Sequence, residues 1–426
     1  MTTTTSSFDQ QALAALPPVP AFVEGLRRTA FERFVAMPIP SQDTEEWRYT
    51  DLSNFDLGFV PHTPGHGGPV PEQSGNLGGA MVQHNSSVAM TTSDQDVARH
   101  GVIFCDLDLA AEKHPDLVRP HLHALVPTDR TKFTALHGAF RTGGTFLYVP
   151  ADVSVQLPLQ TLTYLDADGA AVFPHTLIVA ERGAEVTFID RFASPDLQRS
   201  FSDAITEIVV GDGAHVRYVS IQEWGAGVTH LGVVRARVGR DASIRTLAIG
   251  FGADLSRVEN EVILAEPGGF SEQLGVFFAD GEQHFDHRSI QDHVAPNCTS
   301  DLLYKGALRD HSRAVYSGWV HVRPDAQKTN AMQTSRNIVL SEHAKADAIP
   351  NLEIEANDVR CGHAASVGPV DEDTIFYLTS RGIPREEAER LIVTGFFQEV
   401  LDRVQIEEVR TNAELAIQEE LERGIR

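Results

Sequence analysis

From Gly144 onward the chain alternates short apolar runs with tight polar turns over more than two hundred residues. TFLYVPADVSVQLPL sets β-branched and aromatic residues in alternation, the period of a half-buried strand. LIVAERGAEV, EIVVGDGAHV, RARVGRDASI and VILAEPGGFS each end an apolar strand in a two- or three-residue polar turn and then restart. With Gly183, Gly213, Asp241 and Gly268 as turn landmarks the repeat is about thirty residues, inside the window that marks solenoids. LRDHSRAVYSGWV and LSEHAKADAIPNLEI read as two later, divergent copies. Short strands without intervening helical patterns suggest a β-solenoid, and a jelly roll is the all-β competitor. Periodicity alone leaves that choice open.

The flanks follow another rhythm. In PAFVEGLRRTAFERFVAMP, residues Phe22, Val23, Leu26, Ala30, Phe31 and Phe34 recur at helical spacing, and Pro38 and Pro40 stop the pattern. Residues 61–79 are rich in Gly, Pro and His, the composition of a connector after a polar N-terminus. The first third therefore reads as a helical and irregular cap without visible chemistry. Beyond Gly368, Asp371 is placed to cap a helix through Ile375, Phe376 and Leu378, with Gly382 just past its end. Pro384 opens a second helix, and Val409 to Leu421 form a third. The apolar positions Phe396, Phe397, Val400, Leu401 and Val404 cover more than a narrow stripe, so they either close a solenoid end or dock a partner. The chain divides on this reading into residues 1–143, with the connector 61–79; a β core, 144–368; and a helical region, 369–426.

The last β segment carries the candidate chemistry. Leu352 and Ile354 alternate with Glu353 and Glu355, Asn357 and Asp358 make a turn, and extended chain resumes at Val359. Cys361 and His363, two residues apart, then share one strand face, with Gly362 between them. Thiolate and imidazole suit iron, zinc and iron–sulfur clusters. A buried cysteine acting as a small hydrophobe is the plain alternative.

Composition narrows the function classes. A formal charge of −24 argues against nucleic-acid and anionic-membrane partners, and no apolar run approaches a membrane span. The start MTTTTSSFDQQ shows no secretory pattern, and three cysteines without C-x-x-C fit a reducing, cytoplasmic setting. There is no P-loop, no G-x-S-x-G, and no Ser, His and Asp set that stands out. His284, His287 and His293 lie among Asp286 and Asp292, but on a strand this spacing splits the faces. PHLHAL presents His121 and His123 in an H-x-H like that of metal-binding jelly rolls. No Glu follows at short spacing, and the pair is discounted. Cys298 sits in a turn-like setting, open to burial or a minor redox role.

Longer stretches carry a resemblance. DHRSIQDHVAPNCTSDLLYKGALRD, SRAVYSGWVHV and the run from AQKTNAMQTSRNIVL through LIVTGFFQEVL resemble the SufB/SufD family of iron–sulfur cluster assembly proteins, as do EEWRYTDL and ALHGAFRTGGTFLYVPADVSVQLPL. The similarity runs from about Pro40 to Leu401. NDVRCGHAASVG resembles the SufD-type pattern, and Leu378 stands where a SufB-type chain has cysteine. The resemblance implies a mainly β fold, a right-handed parallel β-helix with helical N- and C-terminal regions. It implies a non-enzymatic scaffold subunit partnered by a SufB-type subunit in a heterodimer and by the ABC-type ATPase SufC, with a homodimer as an option for the isolated chain. His363 becomes the leading ligand candidate, with Cys361 as a thiolate neighbour, for transient iron or a cluster shared with the SufB-type partner; the isolated chain holds no cofactor stably. The apolar surface of Phe396, Phe397, Val400, Leu401 and Val404 becomes the expected ATPase dock, separable from a folded β-helix by truncation at Gly368. The alternatives are a SufB-type paralogue carrying the cluster itself, a metal-dependent β-helix or jelly-roll enzyme using His284, His287 and His293, and a homodimeric interaction platform without ligands.

Overall fold

The computed structural model describes residues 7–65, 68–71, 75–404 and 406–423. The polar stretch 1–6 and connector residues 66–67 and 72–74, read above as N-terminus and linker, lie outside it.

The thirty-residue repeat folds as a parallel β-helix of about eight turns, with 42% of residues in strands and 21% in helices. Successive strands go alternately to two sheets. His215–Glu223, Ser243–Gly250, Phe270–Ala279, Thr299–Leu308, Asn330–Val339 and Arg360–Pro369 stack in one sheet. Ser200–Val210, Val228–Val238, Leu255–Leu264, His284–His293, Arg313–Val322 and Lys345–Ile354 stack in the other. Register partners such as His215 and Ser243, or Thr299 and Asn330, stand one coil apart and in parallel. Parallel coils are incompatible with the antiparallel pairing of a jelly roll, which removes that competitor.

The coil corners explain the repeat. Gly183, Gly213, Asp241, Gly268, Asn297 and Lys328 all have positive φ, between 50° and 79°. Each turn donates its N–H to the corner below: Gly183 to Asp212 O, Gly213 to Arg240 O, Asp241 to Pro267 O and Gly268 to Pro296 O. The left-handed residue turns the chain sharply, and the stacked corners satisfy one another's backbone groups. Val186, Phe188, Val216, Tyr218, Ile244, Val262 and Leu264 fill the lumen.

Each sheet has a second, outer face, and the terminal helices cover the two. The helix Ala21–Ala36 and the helix Lys132–Phe140 bury Phe34, Phe133 and Phe140 with Phe201 and Leu231 of the strands and with Phe173 between strands. The helix Arg385–Leu401 and the helix Glu407–Arg423 lie across the opposite sheet. The helix Glu372–Ser380, which precedes them in the chain, is capped as expected, the Asp371 side chain accepting from the Asp373 N–H at 3.1 Å and Gly382 taking φ +86°.

The first third departs from the irregular cap expected. Gly79–His84 pairs in parallel with Leu159–Tyr164, Ser87–Ser93 folds back on it antiparallel, and Ile103–Asp106 runs antiparallel to Thr145–Val149. These strands seal the first coil. Ser87–Ser93 is mostly exposed, so it carries no apolar alternation for a sequence reading to catch.

Candidate functional site

The far end of the β-helix is left open. Among the described residues Arg360–Pro369 pairs as a strand only with Asn330–Val339, and Lys345–Ile354 only with Arg313–Val322. Both sheets thus end in a strand with one free main-chain edge. Such an edge is a template for a further strand.

Register fixes where the donors stand. Cys361 lies over Ala331 and His363 over Gln333, both of which point into the lumen and are fully buried. Cys361 and His363 therefore extend the lumen face beyond its last covered coil. Cys361 is half-buried against Val320, Val322, Ala326 and Ala331, while His363 is exposed. Burial pushes the Cys361 thiol above its ordinary value. On the outer face of the same end, His321, Glu353 and Glu355 bring ligand atoms within 4.8 Å of one another.

The other cysteines stand elsewhere. Cys105 is on the strand Ile103–Asp106, its thiol pushed up to about 11 by burial and by Asp106. Cys298 is fully buried in the lumen core, its Sγ facing the carbonyls of Glu266 and Pro296 at 3.4 and 3.6 Å, a packing role rather than a redox one. His284 faces outward and His287 and His293 inward on one strand, and the latter two, six residues apart, are separated by roughly 20 Å at strand rise. The three do not converge, which removes the enzyme built on them.

The expected docking surface is also corrected. Phe397, Val400 and Leu401 are fully buried, and Phe396 and Val404 pack beside them against Val219, Leu247, Ile249, Val276 and Phe278. Lys305 clamps the helix, donating to Phe396 O at 2.7 Å and pairing with Glu399 at 2.6 Å. The broad apolar face covers the chain's own sheet. Among the described residues the C-terminal helices expose Phe376, Tyr377, Leu391 and Leu415, at 73%, 56%, 45% and 51%.

A second constellation also escaped the sequence reading. His123, discounted above, meets His137 and His175 with ligand atoms all within 4.8 Å, and Glu207 adjoins them. The four come from a loop, a helix and two strands, so no local spacing signals them.

Residues 163–396 match the model for the SUF system FeS cluster assembly SufBD core domain, and residues 77–161 match that for the SufBD protein N-terminal region. The chain belongs to the SufBD family. An iron–sulfur cluster assembly protein SufD of Bacillus subtilis is 34% identical over 403 residues, 92% of each chain. An iron–sulfur cluster assembly SufBD family protein of Mycobacterium tuberculosis is 37% identical over 306 residues, 70% of this chain and 75% of that one. One from Staphylococcus epidermidis is 29% identical over 396 residues, 89% and 85%. The SufBD core match begins within the strand Leu159–Tyr164 and takes in both open-ended strands with Cys361 and His363. Among the described residues no helix is long and apolar enough to cross a membrane.

Proposed function

We propose that this chain is a SufD-type, non-catalytic subunit of the SUF iron–sulfur cluster assembly machinery, working beside a SufB-type subunit and a SufC-type ATPase. The observation that carries the reading is the open end of the β-helix, where two one-sided strands flank Cys361 and His363. A partner of like fold that pairs with those edges buries the two side chains against its own thiolates. Backbone pairing supplies affinity in such a strand-to-edge contact, and the side chains supply specificity.

The donor set favours a shared site. Cysteine-ligated clusters take four thiolates, and this chain's three cysteines stand on separate elements. Iron or a nascent cluster is then cargo, held transiently between Cys361, His363 and the partner. ATP hydrolysis falls to the ATPase, since the sequence carries no P-loop. That ATPase meets the C-terminal helices through the exposed Phe376, Tyr377 and Leu391.

Co-expression with SufB-type and SufC-type subunits, followed by iron and sulfide analysis, tests the reading. The expected result is a stable ternary complex whose cluster content exceeds that of the lone chain. A stoichiometric cluster on the isolated chain, or failure to retain the SufB-type subunit, overturns it. Sedimentation of the isolated chain separates a homodimer formed through the same edges.

A further inference from the structure

The three histidines beneath the N-terminal cap hold complementary hydrogen bonds. His123 Nδ1 lies 3.1 Å from Val126 O, and His137 Nδ1 lies 2.8 Å from Asp203 O. A carbonyl only accepts, so each Nδ1 carries the proton and each Nε2 keeps a bare lone pair. His175 Nε2 lies 3.1 Å from Glu207 Oε2. Glu207 in turn accepts from the N–H groups of His123, Leu125 and Val126 at 2.7, 2.7 and 2.9 Å, an arrangement suited to a carboxylate. With Nε2 of His175 engaged outward, its Nδ1 turns inward, 3.1 Å from His137 Nε2.

We infer that His123, His137 and His175 form a three-histidine site for a divalent transition-metal ion of the Zn²⁺ or Fe²⁺ class. Three imidazoles with their second nitrogens tied to two backbone carbonyls and a carboxylate are the outer-shell pattern that orients metal-binding histidines. A tetrahedral ion with bonds of about 2.0–2.1 Å sets its nitrogens roughly 3.3 Å apart, close to the 3.1 Å already between His137 and His175. With a lone pair left on each of those two nitrogens, a cation between them relieves their close approach, and no proton has to leave. The hydrogen bonds already named leave one nitrogen of each imidazole with a bare lone pair, the ligating form. The nearby Arg141 is balanced by Asp108 at 2.8 Å. His123 has φ +56° on a partly exposed loop, a left-handed conformation uncommon outside glycine. The ion would staple a loop and the helix Lys132–Phe140 to the first coils, remote from the open end that the proposed function uses.

The full-length chain, stripped with a chelator and titrated with Co²⁺, gives the test. One equivalent should produce the visible bands of tetrahedral cobalt, lost on adding Zn²⁺, and Zn²⁺ should raise the Tm. His123→Ala, on the loop, should fold and lose the bands, and His175→Gln should lose them too. The double variant Cys361→Ser/His363→Ala and the pair Glu353→Gln/Glu355→Gln should keep them. Absence of one-equivalent binding by the native chain overturns the inference. So do bands that persist in folded His123→Ala or vanish in either control.

Discussion

His363 stands in register over Gln333, one coil beyond it on the same lumen face of the β-helix. Gln333 is fully buried, with neither amide atom hydrogen-bonded, while His363 is exposed. The same face thus passes in a single step from covered interior to open surface. A histidine one coil earlier would be a core residue. At this end it has no coil above it and is free to meet a ligand or a partner.

Substituting His363 should therefore separate folding from function. In His363→Ala the Tm and assembly with SufB-type and SufC-type subunits should change little, because exposed positions seldom move stability beyond about 0.5 kcal/mol. Iron and sulfide in the purified complex should fall. A core histidine would instead cost about 1–3 kcal/mol through its lost hydrogen bonds. Normal cluster content in the well-folded complex would remove His363 from the mechanism.

The C-terminal helices should behave as structure on one side and contact on the other. Phe397 is fully buried against the sheet, and Phe397→Ala should cost about 3–5 kcal/mol in urea unfolding. Truncation at Gly368 would strip the cover from Val219, Ile249, Val276 and Phe278 and should yield an aggregating product rather than a folded β-helix. Phe376→Ala, at an exposed site, should leave the unfolding midpoint in place and weaken retention of the ATPase. Equal retention by Phe376→Ala and the native chain would move the dock elsewhere.

Much of this architecture is legible in the residues, because it is local. Gly183, Gly213, Asp241 and Gly268 mark corners that need positive φ, and their spacing is the coil length. Leu352 and Ile354 mark the inward side of an end strand, and Asp371 and Gly382 bracket a helix. What stays hidden is the identity of the neighbour. The apolar face of Phe397, Val400 and Leu401 reads the same whether it covers the chain's own sheet or a partner's. His123 and His137 are separated in sequence from His175 and Glu207, and only the docking of cap on coil joins them.

The corner residues carry a stability prediction. Gly268 has φ +79°, and a Cβ there would stand 2.0 Å from Asp241 Oδ1. Gly268→Ala combines backbone strain with that overlap and should cost about 1–3 kcal/mol in chemical denaturation. Gly281, also at positive φ but with nothing within 4 Å of a Cβ, isolates the strain alone. Its alanine variant should lose less than Gly268→Ala, and the reverse order would discount the overlap.

Asp190 should write itself into the pH dependence of folding. Its carboxyl is buried in the lumen, accepting from Thr176 Oγ1 at 2.8 Å and Tyr218 OH at 3.2 Å while Oδ1 has no partner. Burial outweighs those bonds and pushes its pKa up to about 7. The folded chain therefore holds a proton that the unfolded chain releases near pH 4. Below pH 4 both states are protonated and Asp190 contributes no pH dependence. Between pH 4 and 7 the folded state binds more protons, so stability falls as pH rises, and above pH 7 the full penalty stands. Three pKa units correspond to a penalty on the order of 4 kcal/mol. Asp190→Asn keeps the shape without the charge and should flatten this part of the profile. Urea unfolding at pH 5 and pH 8 reads the effect as the difference between native chain and variant, which cancels every other titrating group. The native chain should lose more stability than Asp190→Asn across that interval. Parallel losses in the two proteins would mean that Asp190 is ionised, or neutral, at both pH values.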